Sequence, residues 1–489
     1  MLSFLLSVIA ALLLQAAFAP LYQGWLVIPA LMLFFEAARR SRSTRLAFLS
    51  GLVFGLVYVG GLMIWLRAVP GPAWIALTTL TAIGFGFSGV WAHKAKRLSP
   101  LGRFSGMVVA WLGWLLILRY APIIATEWPD PGYTVAQWQP ARDAASLIGT
   151  SGWSAVLALA AAAFVTAAWE QSTRWLSFGA GCLLLAFGIG LVVDASPRGE
   201  SFEVAVVQGN TPCEGGIHCP NERAIITQNH LDVTAQIDGP IDLVVWAESS
   251  TGFATDPAVS PEVAAGISEQ AKRLDAFLLV GSDRPVGQAN FTNSNILFNP
   301  EGVLAGEYTK QHGVPFGEYV PFRDFFDRWP SIVQISRDMI PGTGPVLLEA
   351  GQGKIGSVIS YEAAFSRYAR EHAQVGANLL VVATNEASYG TGAAADQLIA
   401  MSTMRGAENG LDVVHSAITG SSVIISPSGH LTRVTGLFEQ DTIRATVHLR
   451  EAGPTFYARY GDWLLAIVLP ILGSILVIET VEQKTFQLT

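Results

Sequence analysis

The sequence predicts an α-helical membrane domain of about eight spans, joined to a layered α/β domain on the extracytoplasmic side. Charged residues make up only 14% of the 489 residues, against about 25% in an average soluble protein. The apolar excess is concentrated in residues 1–194 and 463–479, and the stretch between has the composition of an ordinary globular domain. We therefore predict a membrane domain at 1–194, an outer domain at 195–462, and a closing span with a tail at 463–489.

The predicted spans are apolar runs close to the length of about 20 residues that a helix needs to cross a bilayer. The first run has neither a basic segment before it nor a clean small-residue cleavage site, so we predict a retained helix and not a removed signal peptide. The runs lie at 2–19, 23–38, 46–67, 72–92, 105–120, 151–169, 175–194 and 463–480.

Basic residues predict the orientation of these spans, because cytoplasmic loops are enriched in Lys and Arg. Such residues occupy the loops after the second, fourth and sixth spans: Arg39, Arg40, Arg42 and Arg45, then Lys94, Lys96, Arg97 and Arg103, then Arg174. These loops and both termini are then cytoplasmic, and seven crossings place residue 195 outside. The pattern predicts a multi-pass protein of the cytoplasmic membrane, and the net charge of −8 gives no reason to expect nucleic-acid binding.

The loop at 121–150 is the long outer loop of the membrane domain, and it mixes aromatic residues with prolines. Its aromatic residues include Trp128, Tyr133 and Trp138. This composition is typical of segments at the lipid headgroup level. The loop is therefore either an interfacial anchor or part of a mouth through which a lipid tail reaches an active site.

The outer domain is predicted to alternate short strands with helices. Its strands are apolar on both faces and need helices above and below the sheet, which predicts an α/β layered domain. The strands are Val204–Gln208, Leu243–Trp246, Phe277–Gly281, Ile355–Ser360, Leu379–Thr384 and Val413–Ala417. The helices are Asn221–Ile237, Pro261–Asp275, Ser366–Val375 and Ala394–Asn409. Turn residues predict one β-hairpin at Asn293–Lys310 and a second that turns at Ser426–Gly429.

Ionisable and nucleophilic side chains lie where several of these strands end. Glu248 follows the second strand, Ser360 ends the fourth, and Asn385 follows the fifth. Lys310 ends the first hairpin. Functional residues of layered sheets concentrate at the carboxyl ends of strands. A carboxylate base, a cation and a nucleophile in this order predict acyl chemistry, and the apolar spans place that chemistry at a membrane.

The chain has three cysteines, two of which flank a short loop. Cys213 and Cys219 can form a disulfide if the outer domain lies outside the cytoplasm. Free thiols remain an alternative. A metal site that includes His218 lacks a fourth ligand and a typical ligand spacing. The sequence also has neither a P-loop nor a Gly-x-Gly-x-x-Gly motif after a strand, so we predict no metal and no cofactor.

At these positions the chain resembles the apolipoprotein N-acyltransferase family, a membrane-bound branch of the nitrilase superfamily. The resemblance covers nearly the whole chain. It implies an αββα sandwich, and transfer of an acyl chain from a membrane phospholipid, through an acyl-enzyme, to the α-amine of the S-diacylglyceryl cysteine of a lipoprotein. The motifs that carry it are Val207–Asn210, Val245–Ser249, Lys310 with Val314–Phe322, Tyr361–Glu362, Ala383–Asn385, Asp396–Gln397 with Arg405 and Glu408, and Tyr457–Asp462.

The same resemblance implies roles for individual residues. Glu248 is the general base, Lys310 stabilises the oxyanion, and Ser360 holds the nucleophile position. Five further residues have implied roles, namely Glu318, Tyr361 and Glu362 as catalytic support and Asn385 and Trp246 in substrate binding. We expect a phospholipid donor, a diacylglyceryl-lipoprotein acceptor and a monomeric enzyme.

Ser360 departs from the family pattern, which has a cysteine at this position. A cysteine has an ordinary pKa of about 8.5 and forms a thiolate readily, whereas a serine hydroxyl needs a base during its attack. Glu248 can be that base if burial raises its pKa toward neutrality. The alternatives are a natural serine enzyme, a chain whose nucleophile was disabled by design, and a natural relative that only binds lipid or lipoprotein. An amidase or esterase that releases acyl groups to water is a further alternative.

Overall fold

The protein divides into two compact units. The first unit contains Met1–Ile64, Trp74–Asp194 and Tyr460–Thr489, and the second contains Trp65–Ala73 and Ala195–Arg459. The computed structural model describes residues 1–68, 73–123, 125–194, 199–213, 219–329 and 335–488.

The first unit is helical. Six of its helices, within the part of the chain that is described, are long and apolar enough to cross a membrane. α1 has 16 residues and α2 has 14, so both are shorter than the spans predicted there, and the count of eight spans stays a prediction. The helices are α1 Leu2–Ala17, α2 Val27–Arg40, α3 Thr44–Leu62, α4 Ala73–Ala95, α5 Pro100–Tyr120, α6 Gln139–Glu170, α7 Thr173–Gly190 and the closing helix Trp463–Leu488.

The span predicted at 46–67 is too long at its carboxyl end. α3 ends at Leu62, just after the pair Gly60 and Gly61, and glycine is a poor helix former. Ile64–Ala68 then forms a short 3-10 helix. From Trp65 onward this segment groups with the second unit.

The burial of two aromatic residues argues against an interfacial anchor at 121–150, which is one of the two roles expected for this loop. Trp128 and Tyr133 are only 1% and 3% exposed, so their rings pack inside the first unit and do not face lipid headgroups. The predicted loop is also too long, because α6 already begins at Gln139. The segment folds inward because it carries carboxylates that pair with a buried arginine.

We call this group the Arg119 cluster: Arg119, Glu127, Asp130 and Asp462. Nη2 of Arg119 lies 2.9 Å from Oε2 of Glu127 and 3.2 Å from Oδ2 of Asp130, and Nη1 lies 2.7 Å from Oδ2 of Asp462. The first three side chains are at most 5% exposed and that of Asp462 is 18% exposed. The cluster therefore joins the end of α5 to the 121–150 segment and to the start of the closing helix.

The second unit alternates strands and helices, and each predicted strand and helix is confirmed to within a few residues. Its strands are β1 Ser201–Gln208, β2 Leu243–Trp246, β3 Thr251–Gly252, β4 Phe277–Val286, β5 Asn290–Phe298, β6 Leu304–Thr309, β7 Asp338–Met339, β8 Leu348–Ala350, β9 Gly353–Ile359, β10 Leu379–Thr384, β11 Val413–Ala417, β12 Val423–Ile425 and β13 Asp441–His448. Its helices are α8 Glu222–Thr234, α9 Pro261–Leu274, α10 Arg323–Phe326, α11 Ser366–Gln374, α12 Ala394–Asn409 and α13 Phe456–Tyr460.

The strands form two sheets. The first has the order β13-β1-β2-β4-β5-β6, with β3 beside β4 and β7 beside β5, and the second has the order β12-β11-β10-β9-β8. β1, β2 and β4 are parallel neighbours, as are β9, β10 and β11. Strands of this kind are buried on both faces, which explains their continuous apolar sequences.

Two apolar cores show the layer order. One core contains residues of both sheets, such as Val245 and Val381, and lies between them. The other joins the first sheet to α8 and α9, through side chains such as Val233 and Ile267. Helices α11 and α12 pack on β9 and β11 of the second sheet. The second unit is therefore an αββα sandwich, as the resemblance implied.

Candidate active site

Ser360 lies at a strained backbone turn directly after β9. It has a φ of 51°, in the left-handed region, and begins the short 3-10 helix Ser360–Ala364. A residue other than glycine in this region costs of order 1–3 kcal/mol and persists only where its surroundings hold it, most often at functional sites. The side chain is 6% exposed, and its hydroxyl makes no hydrogen bond with the residues that the structure describes.

Glu362 holds this turn against the segment that follows Lys310. Its Oε2 accepts a hydrogen bond from the backbone N–H of Ile359 (2.9 Å), and its Oε1 accepts from the N–H groups of Gln311 (2.7 Å) and His312 (3.1 Å). The hydroxyl of Tyr308 donates to the same carboxylate at 3.0 Å. Burial raises the pKa of Glu362 to about 7, although the hydrogen bonds from the backbone N–H groups act to lower it. Glu362 therefore links the turn at Ser360 to the hairpin that carries Lys310.

The buried ammonium of Lys310 lies between two carboxylates. Its Nζ is 3.1 Å from Oε1 of Glu248 and 2.7 Å from Oε1 of Glu318, and its side chain is 1% exposed. Burial by itself lowers the pKa of Lys310, but the charges of Glu248 and Glu318 outweigh it and raise that pKa well above its usual range. The side chain is therefore a fixed cation at neutral pH.

For Glu248, burial has a larger effect on the pKa than the charge of Lys310 does. Burial raises its pKa above the ordinary value, and the charge of Lys310 only partly offsets that effect. A carboxylate whose pKa is raised toward neutrality is a better general base. Gly281 allows this geometry, because a Cβ at that position would lie 2.2 Å from the carbonyl oxygen of Ala247 and 2.7 Å from Cα of Glu248.

Asn293 is a site residue that the sequence analysis missed. Its Nδ2 donates to Oε1 of Glu248 at 2.7 Å and to Oε1 of Glu318 at 3.0 Å. The backbone N–H of Lys310 donates to the carbonyl oxygen of Asn293 at 2.8 Å, which continues the β5–β6 hairpin and sets the two residues side by side. We call Glu248, Asn293, Lys310 and Glu318 the Lys310 cluster.

A closed loop positions Glu318. Its Oε2 accepts from the backbone N–H of Val314 at 2.8 Å, and its own N–H donates to the carbonyl oxygen of Val314 at 2.8 Å. The carbonyl oxygen of Glu318 accepts from the N–H of Met339 at 2.8 Å. The proline-rich motif after Lys310 thus folds back so that its glutamate meets the lysine.

A cavity of about 670 Å³ brings five of the predicted site residues together. Glu248, Lys310, Glu318, Ser360 and Asn385 all line it. This volume is within the range of about 300–1,000 Å³ that is typical of small-molecule sites. The structure therefore supplies one place where a base, a cation and a nucleophile can act on the same substrate.

The Trp65–Ala73 segment also contributes to this cavity, which the sequence analysis did not predict. Leu66 and Ala73 line the cavity, together with Tyr389. The indole N–H of Trp65 donates to Oε1 of Gln397 at 3.2 Å, and its ring lies 4.5 Å from that of Tyr389. A tryptophan and an arginine at the end of an apolar run were the available signal, but composition alone does not say where they pack.

The substrate-binding role expected for Trp246 is contradicted. Its side chain is fully buried in the core between the first sheet and its helices, and its indole N–H donates to Oγ1 of Thr234 at 2.9 Å. Side chains of a strand alternate between faces, so Trp246 faces α8 and α9.

Tyr361 packs against the rings of His312 (5.7 Å) and Phe365 (5.2 Å), and its catalytic role stays a prediction.

Cys213 and Cys219 are joined by a disulfide, with their Cα atoms 5.9 Å apart. The residues between them, including His218, lie outside the described part of the chain. Within the described part, no group of three His, Cys, Asp or Glu side chains is arranged to hold a metal ion.

Comparison with known proteins places this chain in a family. The carbon-nitrogen hydrolase model matches residues 203–457, and the apolipoprotein N-acyltransferase N-terminal domain model matches residues 10–163. A protein named apolipoprotein N-acyltransferase from Geobacter metallireducens is 29% identical, over 94% of this chain and 92% of its own length. Proteins of the same name from Nitrosomonas europaea and Mycolicibacterium smegmatis are 28% and 26% identical, over 94% and 96% of this chain and 93% and 84% of their own lengths. The chain belongs to the carbon-nitrogen hydrolase family, in its membrane-bound branch of apolipoprotein N-acyltransferases.

Proposed function

We propose that this protein transfers an acyl chain from a membrane phospholipid, through an acyl-enzyme on Ser360, to the α-amine of the S-diacylglyceryl cysteine of a lipoprotein. The observation that carries the proposal is the single cavity lined by Glu248, Lys310 and Ser360. The names of the relatives support the acceptor class. We also propose that the enzyme acts as a monomer.

The first half-reaction forms the acyl-enzyme. The hydroxyl oxygen of Ser360 attacks the ester carbonyl of the donor, and Glu248 takes the hydroxyl proton. Lys310 and a backbone N–H near Tyr361 stabilise the negative charge on the tetrahedral oxygen. The intermediate then expels the lysophospholipid alkoxide, which receives the proton from Glu248. This step leaves an oxygen ester on Ser360 and restores the carboxylate.

The second half-reaction forms the amide. The α-amine of the acceptor attacks the Ser360 ester, Glu248 takes a proton from the amine, and the serine oxygen leaves with that proton. An oxygen ester is a poorer acyl donor to an amine than a thioester is. We therefore expect the second half-reaction to limit the rate, and a Ser360→Cys variant to transfer faster.

We also infer that the catalytic unit faces the extracytoplasmic side, with both termini in the cytoplasm. Basic residues at the junction of α2 and α3, at the junction of α4 and α5 and near the start of α7 support this orientation. The disulfide between Cys213 and Cys219 also supports it, because disulfides persist in oxidising compartments.

Labelling with a radioactive phospholipid acyl chain tests the proposal. We expect the purified full-length protein to acquire label that Ser360→Ala abolishes, and to pass it to a diacylglyceryl lipopeptide with a free α-amine. Label intact in both Glu248→Gln and Lys310→Ala would contradict the assigned catalytic residues. Label seen only in Ser360→Cys indicates an inactive binding protein, and label released to water indicates an amidase or esterase.

A further inference from the structure

Two arginines line the cavity, and the acyl-transfer chemistry uses neither of them. Arg223 and Arg337 both lie on the ring of Phe253, with each Cζ 5.0 Å from the ring centroid. All three residues line the cavity that also contains Ser360. We call them the Arg–Phe–Arg stack.

The two arginines differ in their partners. Nη2 of Arg223 lies 2.5 Å from Oδ2 of Asp283, and Nη1 donates to the carbonyl oxygen of Thr251 at 3.4 Å. Arg337 is half-buried, and the described part of the chain offers it no ion pair with a carboxylate. Arg223 is thus neutralised and anchored, whereas Arg337 keeps a positive charge available to a ligand.

Phe253 orients the guanidinium of Arg337. A guanidinium that stacks on an aromatic face keeps its N–H donors in its own plane, directed away from the ring. That planar arrangement of donors matches the oxygens of a phosphate, which it binds with two parallel hydrogen bonds. A stacked arginine also loses less rotational freedom on binding than a free one does.

The other cations of the cavity are already paired with carboxylates, so an anionic ligand needs a further cation there. Lys310 is paired with Glu248 and Glu318, and Arg223 is paired with Asp283. A phosphate that enters this cavity would meet those carboxylates. Arg337 is the cavity cation whose charge the structure leaves uncompensated within the described residues.

We propose that Arg337, held flat on Phe253, binds the phosphodiester of the phospholipid donor while the acyl ester lies at Ser360. This inference rests on the proposed function and names the donor subsite. The expected acceptor carries a diacylglyceryl thioether and an amine but no phosphate. Arg337 therefore acts in the first half-reaction and not in the second, although both reactants use the same cavity.

Direct binding tests the subsite independently of catalysis. The full-length Ser360→Ala protein in detergent is titrated with a short-chain diacyl phospholipid and with the diacylglycerol of the same chain length. We expect Arg337→Gln in this background to weaken phospholipid binding about 10- to 100-fold, the range for a lost hydrogen bond to a charged group. Diacylglycerol affinity should not change, and Arg337→Lys should be intermediate. Arg433→Gln is the control, because Arg433 is 58% exposed, pairs with Asp441 and does not line the cavity.

Kinetics locate the effect in one half-reaction. With the active protein, Arg337→Gln should raise the KM for phospholipid with little change in kcat. It should not change the rate of acylation by an uncharged p-nitrophenyl ester, or the rate at which a preformed acyl-enzyme reacts with a lipopeptide amine. Equal losses with phospholipid and p-nitrophenyl ester would overturn the proposal and indicate a structural role.

Three further outcomes separate the alternatives. Unchanged phospholipid binding in Arg337→Gln overturns the inference, even if the native protein is an active acyltransferase. An arginine-dependent preference for phospholipid over diacylglycerol supports the inference, even if no acyl-enzyme forms and the proposed function fails. Competition by millimolar inorganic phosphate without any preference for phospholipid would indicate a free-phosphate site and would overturn the donor assignment.

Discussion

Each unit of the molecule buries a basic side chain among several carboxylates, but the two clusters differ in what lies beside them. In the Arg119 cluster, a guanidinium holds three carboxylates from two segments of the helical unit. In the Lys310 cluster, an ammonium holds two carboxylates at the wall of a cavity that also exposes Ser360. Buried charge by itself is therefore no sign of catalysis. The Lys310 cluster is distinguished by an adjoining cavity and by the hydroxyl of Ser360 on a strained turn.

Removal of the cation of the Lys310 cluster should have the largest effect on chemistry. Lys310→Met should lower the rate of acyl-enzyme formation by about 10³-fold, because Glu248 and Glu318 lose their partner and the oxyanion loses a donor. Labelling by phospholipid, corrected for the folded fraction, measures this rate. A variant that keeps a tenth of the native rate would remove Lys310 from the mechanism.

The corresponding change in the Arg119 cluster should affect folding and not chemistry. Arg119→Met should lower the free energy of unfolding by about 3–5 kcal/mol, because it leaves buried carboxylates without a partner. Unfolding in detergent measures this loss, and acylation per folded molecule should stay within about threefold of native. Arg40→Met is the control, since Arg40 is 47% exposed and its pair with Glu36 contributes about 1 kcal/mol or less. A stable Arg119→Met protein with a large loss of acylation would mean that this cluster is functional.

Asn293 tests whether the two glutamates need a neutral donor as well as the cation. Its hydrogen bond lowers the pKa of Glu248, so Asn293→Ala should raise that pKa and move the acid limb of the rate profile to higher pH. We expect acylation at neutral pH to fall by at least about 10-fold, because the variant loses the hydrogen bonds to the charged groups of Glu248 and Glu318. Asn295→Ala is the matched control, because Asn295 lies on the same strand but donates to Ser357. An equal shift of the profile in that control would exclude the assigned role.

Substitution of Glu362 should have a smaller effect, which appears in the pH dependence of folding stability. Burial raises its folded pKa from 4.5 to about 7. The folded state then binds more protons than the unfolded state in this interval, so the stabilising contribution is present at pH 4.5 and is lost as the pH rises to about 7. Glu362→Gln should remove that part of the slope, measured as thermal unfolding midpoints from pH 4.5 to 8. The same slope in the variant would assign the titration to another group.

The sequence determined the local features of the second unit. Continuous apolar runs predicted β2, β9 and β10, and the polar residues that follow them, Glu248, Ser360 and Asn385, line one cavity. These features are local because a buried strand must be apolar along its length and can carry a polar group only where it ends. The orientation in the membrane and the roles of individual residues remain predictions.

Which polar groups contact one another depends on the folded chain. Asn293 joins the site because the hairpin register sets it beside Lys310, and Arg337 joins Phe253 across a long stretch of sequence. The direction of Trp246, away from the cavity, and the burial of Trp128 also depend on packing. Hydrophobic periodicity records how strongly a residue is buried but not which partner it is buried against. The partner depends on the positions of segments that are far apart in the sequence, and those positions exist only in the folded chain.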